Sequence, residues 1–532
     1  MTRQVDGRQR DGAARQPSPQ HAQTAPVPVG AATLGNLRNN IIESLLALAA
    51  STFVGQFANV GSLLILAAIL APAEYGAIGV ATLVTTAFVV ARNAFVFQTL
   101  IHRSSRIRES ADQVIIISVV LGLALAVAAL IWADAVGEFF HAPASGPILR
   151  LSGIAFLIDS IGAVPDTLFE KELRFRRKVG LELAKPVTTA VVSVGLALLG
   201  AGPISVGWGL LAGSTLWTVG LYILSDYRPQ LRFDGPLMRE LMNYGRYVLS
   251  GSALTFFFTN LDNASVGHWL GGRALGYYTF AFLVGYFPSK VVTEGIVSAV
   301  ALPIFSKVQR DQSLQAQALG TTFRYVGYYA APICVATLAL APAALHVVYG
   351  NKWEPTYAAL QMLALYGLAQ SYFLIIRNFC NGTGRAVFFW RISLLQLILV
   401  LPLLIYAPLH YGVFGTATLF TASKLITTIC TVAYALYVSR LPLTRFLRLF
   451  AAPLLASAPA GLSAMALLAI IPAGKASHAL GVAIATMLFI LVYIMLLLIL
   501  DRTLMMEIVG FAQRRGVKIA KGEQARALQP IP

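Results

Sequence analysis

The candidate chemistry of this chain lies in a few charges embedded in apolar runs. Lys290 and Glu294, in FPSKVVTEG (287–295), stand one helical turn apart within the stretch from Tyr277 to Ala301. A charge at the centre of a membrane helix costs roughly 2.5–3.5 kcal/mol even on lenient insertion scales. Arg92, Arg377 and Lys424 also fall inside apolar runs, as do Asp159, Asp262 and, at a run's end, Asp166. Two chemistries fit such residues. In one, Lys290 and Glu294 meet at i,i+4 and neutralise each other. In the other, Lys290, Arg92, Lys424 and Arg377 face a cavity and bind an anion. Lysine suits phosphate as a point charge, and arginine grips its oxygens with a planar fork. Glu294 would then hold the lysine while the site is empty, and Glu294, Asp262 and Asp159 are candidate proton-coupling groups. Arg377, four residues before Asn381, can instead snorkel to the cytoplasmic surface. Pro288 is placed to loosen the helix beside Lys290, as broken helices do around transporter sites.

Such residues need a scaffold that crosses a bilayer. The 532 residues are 57% hydrophobic and only 12% charged. Soluble domains carry about 25% charged residues, so the chain is an integral membrane protein. Its apolar material comes in runs of about 20 residues, the length a spanning helix needs. Fourteen spans are expected, near 44–70, 76–100, 113–133, 147–168, 181–201, 204–225, 245–270, 277–301, 323–348, 357–381, 388–407, 412–437, 447–471 and 479–500. Residues 1–36 read as a disordered tail rich in Pro, Gln and Arg, and 501–532 as a basic cytoplasmic tail.

Charge sets the orientation. Twenty-one Lys and Arg fall in the joints after even-numbered spans, including EKELRFRRKVGLELAK after the fourth. The joints after odd-numbered spans hold only Arg150, Arg273, Lys352 and Lys475. Both termini are therefore expected in the cytoplasm. The net charge of +17 reflects topology, and it gives no support to nucleic-acid binding. Trp132, Trp208, Trp269 and Trp353 fall near the expected outer interface, where indoles concentrate. Every outer joint is short, which excludes an outward-facing soluble domain and most membrane enzymes that work through one. The three cysteines lie in apolar runs without metal or disulfide spacing. There is no phosphate-binding loop and no nucleophile elbow, so the chain alone is no ATP-driven pump. It is read as a non-enzyme that calls for no cofactor and no metal.

An offset of 200 aligns ILAPAEYGAIGVATLV (69–84) with WLGGRALGYYTFAFLV (269–284), bringing Leu70, Gly76, Ala81, Leu83 and Val84 onto Leu270, Gly276, Ala281, Leu283 and Val284. Spans 1–6 and 7–12 then form parallel repeats, a plan transporters use with a site between the halves. The expected organisation is a six-helix bundle over 37–228, a second over 229–440, and an added helix pair over 441–500. Asn260, Asp262 and Asn263, with Tyr277, Tyr278, Tyr286, Tyr325, Tyr328 and Tyr329, offer either sugar contacts or packing.

Several stretches resemble the polysaccharide-exporter, or lipopolysaccharide flippase, branch of the multidrug/oligosaccharidyl-lipid/polysaccharide superfamily. They are LRFRRKV, YRPQLRFD, VGHWLGGRALGYYTFAFLVGYFP, LPIFSKVQRD, YGNKWEPTYAALQMLAL and NGTGR, in order between about residues 40 and 440. The resemblance implies an all-α fold with two six-helix bundles around a central cationic cavity and a C-terminal helix pair. It implies a flippase moving undecaprenyl-diphosphate-linked oligosaccharide from the inner to the outer leaflet of the bacterial cytoplasmic membrane. Its partners would be the lipid-linked oligosaccharide, membrane lipids, and a polysaccharide polymerase with assembly proteins. The placing of Lys290 and Arg92 in that cavity rests on depth and charge. The competing reading is a cation-coupled multidrug antiporter of the same superfamily, and a non-transporting scaffold is a third.

Overall fold

The computed structural model describes residues 54–101, 107–171, 175–230, 233–471 and 475–501. The expected tail over 1–36, nearly all of the tail over 501–532, and the start of the first span lie outside them. Among the described residues the fold is all-helical, with no strand. In chain order the helices are α1 (Val54–Ile69), α2 (Pro72–Ile101), α3 (Ile107–Phe139), α4 (Ser145–Lys171), α5 (Phe175–Leu198), α6 (Ile204–Leu224) and α7 (Gly235–Gly285). There follow α8 (Phe287–Lys290), a π-helical turn (Val291–Val297), α9 (Ser298–Lys307), α10 (Gln312–Tyr349) and α11 (Tyr357–Gly382). The chain continues with α12 (Ala386–Val400), α13 (Tyr406–Ser439), α14 (Leu443–Ile470) and α15 (Lys475–Leu500). Each expected span falls mainly on helical backbone where it is described, with turns or bends at the ends of several and within the spans over 277–301 and 388–407. Nine helical stretches among the described residues are long and apolar enough to cross a membrane.

Local chemistry sets the boundaries. Asp234 caps α7 by accepting from Leu237 N at 3.1 Å. Asp311 caps α10 by accepting from Ser313 N and Leu314 N at 2.8 and 3.1 Å. Each satisfies amides that a helix start leaves unpaired. α7 carries two expected spans, broken at Gly271, whose φ of +83° suits a residue without a Cβ.

Helices α2 to α6 pack mainly among themselves, as do α10, α11 and α13, and α14 and α15 pair beside α10. The two groups meet along α7: the far end of α2 packs on its first limb, where Leu100 joins Leu237 and Leu241, and the near end crosses its second limb at Gly76. There a methyl group on Gly76 would overlap the carbonyl of Gly272, and one on Gly276 would overlap the carbonyl of Pro72. Residues 72 and 76 thus meet 272 and 276, at the same 200-residue offset that the sequence repeat shows. Such reciprocal contact is what a two-fold relation between halves produces. Around it lies the largest buried cluster, with Ala67, Tyr75, Phe140, Ala142, Leu275, Tyr278, Phe280 and Trp353.

Candidate functional site

Arg92 lies on the length of α2 beyond that crossing and is buried, with 9% exposure. Its Nε and Nη2 donate to Asn93 Oδ1 at 3.1 and 2.8 Å. Its guanidinium carbon sits 5.1 Å from the Phe156 ring centroid, a cation–π distance. Nη1 is fully enclosed and has no hydrogen-bond partner among the described residues. Leaving such a donor unsatisfied is costly, so the position favours an acceptor arriving from elsewhere. Arg92 lines a cavity of about 450 Å³ with Asp159, Asp166, Glu170, Lys185 and Trp217. Ser252 of α7 lines it too, so the cavity adjoins the boundary between the two halves.

The acids of that cavity already have cations. Lys185 Nζ contacts both oxygens of Asp159 at 2.8 Å and lies 5.7 Å from the Trp217 ring. Lys178 is wholly buried and bonded to Asp166 at 2.7 Å, Glu170 at 2.8 Å and Glu182 at 3.1 Å. By sequence both lysines belong to the basic joint after the fourth span. The structure places them within α5, facing α4, so the cations within spans extend beyond Arg92, Lys290, Arg377 and Lys424. The signal was in the spacing: Asp166 and Glu170 are four apart, as are Lys178 and Glu182, with Lys185 three further on. Those intervals put each set on one helix face. The cavity is therefore of mixed charge rather than simply cationic.

The other expected cations lie apart from this cavity's lining. Lys424 is buried on α13, donates to Gln396 Oε1 of α12 at 2.9 Å, and faces the Phe373 ring of α11 at 4.0 Å. Arg377 is half-buried on α11. Lys290 is exposed at the end of α8, immediately before the π-helical turn. That turn begins three residues after Pro288, the residue placed to loosen the helix beside Lys290, and π turns recur at functional sites. Glu294 lies in it, but its side chain falls outside the described residues, so its expected pairing with Lys290 does too. Asp262 is buried, accepting from Tyr278 Oη at 2.8 Å and from Asn263 N at 2.8 Å. Tyr278, itself fully buried, is thus a strut between the two limbs of α7 rather than a sugar contact. Trp353 also departs from expectation. It is buried rather than interfacial, donating from Nε1 to Ala67 O at 3.1 Å. Trp132, Trp208 and Trp269 are exposed, as interfacial indoles would be.

Comparison with known proteins agrees with this architecture. The chain is 24% identical over 86% of its length to the succinoglycan biosynthesis transport protein ExoT of Rhizobium meliloti, covering 92% of that protein. It is 24% identical over 59% of its length to the lipopolysaccharide biosynthesis protein WzxC of Escherichia coli, covering 64% of that protein. Among solved structures it superposes on the lipid II flippase MurJ in an inward closed conformation. The TM-score is 0.66 at 16% identity, over 86% of this chain and all of that one. An inward-facing multidrug resistance MATE family transporter of the MOP superfamily gives 0.58 at 15% identity, over 75% of this chain and 98% of that one. Likeness at that level establishes the fold. A family profile described as "Polysaccharide biosynthesis protein" matches residues 65–358, more than half of the chain. The chain belongs to that polysaccharide biosynthesis protein family.

Proposed function

We propose that this protein is a flippase that carries undecaprenyl-diphosphate-linked oligosaccharide from the inner to the outer leaflet of the cytoplasmic membrane. It would do so by alternating access, with both termini cytoplasmic and the two six-helix halves rocking about the cavity. The observation that carries the reading is Arg92 Nη1, buried and unpartnered among the described residues, on an arginine that lines a cavity beside the inter-half boundary. A diphosphate supplies the missing acceptor, and a planar guanidinium binds phosphate oxygens with defined geometry. Asp159 and the three acids around Lys178 are held by lysines, so Arg92 has a nitrogen to spare for cargo. Lys290, exposed beside a π-helical turn, is proposed as a second contact, with Arg377 and Lys424 behind it. The polyprenyl tail need not enter the cavity, since it can remain in lipid. The names of the relatives, transport and biosynthesis proteins of bacterial glycans, support the cargo class.

The multidrug-antiporter reading draws on one observation, the carboxylates Asp159, Asp166 and Glu170 in the same cavity. Their pairing with Lys185 and Lys178 weighs against it, because a cationic drug would have to displace both lysines. The test is the leaflet distribution of lipid-linked oligosaccharide in cells deleted for the gene and complemented with wild type or Arg92→Ala. Hydrogen bonds to a charged group are worth about 1.5–3 kcal/mol. Arg92→Ala, present at wild-type level in the membrane, should therefore slow transfer by roughly ten- to a hundredfold. Normal outer-leaflet glycolipid in the deletion strain would refute the flippase reading.

A further inference from the structure

The stretch YGNKWEP resembled the family in sequence but has no part in the Arg92 cavity. Its structure gives it a different task. The joint between α10 and α11 (Gly350–Thr356) reaches from the second half to the end of α1 in the first. Trp353 Nε1 donates to Ala67 O at 3.1 Å, and Lys352 Nζ donates to Ala67 O at 3.1 Å and Ala68 O at 3.3 Å. Tyr349 Oη donates to Leu64 O at 3.1 Å. Carbonyls at a helix's C-terminal end lack intrahelical partners and attract cations, so α1 presents an acceptor set that this joint fills. The Trp353 ring stacks on Phe280 at 4.2 Å and meets Tyr75 edge-on at 5.4 Å. One side chain thus touches α1, α2 and α7 at once.

The other half returns the grip. The α3–α4 joint reaches the Gly271 kink of α7, where Gly272 N donates to His141 O at 3.4 Å. His268 Nδ1 lies 3.1 Å from Phe139 O, and its ring stacks on Phe139 at 4.2 Å. The α1–α2 joint and the Gly271 kink are the two copies of the sequence repeat. Each half therefore clamps the other's copy, with the Gly76–Gly276 crossing between the clamps.

We propose that the 350–356 joint is a latch, paired with the α3–α4 clamp, that keeps the cavity shut at the end assigned to the outside. Release of Trp353 and Lys352 from the α1 carbonyls is the event that lets the halves part there. This rests on the alternating-access reading above and not on the identity of the cargo. The test uses the full-length chain with Cys334, Cys380 and Cys430 replaced by alanine and Ser252→Cys as the reporter in the cavity. Right-side-out and inverted membrane vesicles are treated with a membrane-impermeant maleimide. The latched protein should label readily from the inner face and slowly from the outer one.

Lys352→Ala and Trp353→Phe, which spare the bulk of the packing, should each raise the outer-face labelling rate about three- to tenfold, as loss of one or two net hydrogen bonds predicts. Trp353→Ala should raise it further. Outer-face rates equal to the parent's in both Lys352→Ala and Trp353→Phe would overturn the latch while leaving alternating access standing. A parent that labels equally from both faces, or not from the inner face, would overturn the latch and alternating access together. Glycolipid transfer is not the readout, so the latch can hold even where the cargo assignment fails.

Discussion

Lys178 shows what one buried charge does here. Its ammonium is fully enclosed and holds Asp166, Glu170 and Glu182, each about a third exposed on its own account. Deleting one partner of a buried ion pair strands the others, at a cost of about 3–5 kcal/mol. Lys178→Met should lower the thermal unfolding midpoint in detergent sharply. Arg177→Met is the neighbouring control, because Arg177 is 57% exposed and lies 3.9 Å from Asp226. An exposed pair contributes about 0–1 kcal/mol, so that midpoint should barely move. Equal losses in the two variants would show that Lys178 is not the centre of the cluster. Sequence spacing contained both residues but not this distinction. Positions 171–185 are so rich in Lys and Arg that composition alone reads as a cytoplasmic joint, and only the i,i+4 pairing of acids with lysines marks a helix face. Arg92 was legible as a misplaced charge, whereas its spare nitrogen was not, because that depends on Asn93 taking the other two.

Among the elements, α2 and the second limb of α7 are positioned by what they lack. Gly76 and Gly276 let two helix backbones touch, and an added methyl must displace a carbonyl rather than a flexible side-chain tip. Overpacking of that kind costs about 1–3 kcal/mol. Gly276→Ala should therefore lower the unfolding midpoint, with Gly76→Ala doing the same. Gly195, in α5, has nothing within 4 Å of the place its Cβ would occupy. There alanine should be neutral or stabilising by up to about 1 kcal/mol, since glycine is a poor helix interior residue. A Gly195→Ala loss as large as that of Gly276→Ala would refute the close crossing. The crossing was partly legible, since both glycines fall at matching places of the repeat. That they touch each other was not, because a repeat fixes equivalence and leaves the axis relating the halves undetermined. Trp353 fails for a similar reason. Interface preference is a property of indoles in general, while the Ala67 carbonyl that captures this one lies 286 residues away in sequence.

At the scale of the whole molecule, the distribution of charge and the position of the clamps are independent lines that meet. Discounting Lys178 and Lys185, which are ion-paired to acids of α4, leaves nineteen basic residues in the alternate joints against four in the others, so the asymmetry persists. The clamps lie with the poorly charged joints, at 139–142 and 349–353. On the orientation proposed from charge, the sealed end is outside and the opposite end, toward which α2 carries Arg92, is nearer the inner leaflet. On the proposed flippase reading, a cavity that first opens on the donor side loads before the clamps part, whereas the reverse orientation would present the cavity to product. Reporter fusions decide between them. Alkaline phosphatase joined after Lys475, the first residue of α15, should be active, and joined after Arg440, between α13 and α14, inactive. A fluorescent protein that matures only in the cytoplasm should give the opposite pattern. If phosphatase is active after Arg440 instead, the chain is inverted. The latch would then close the cytoplasmic end, and outward movement of a glycolipid would have to begin from a cavity opening to the outer face.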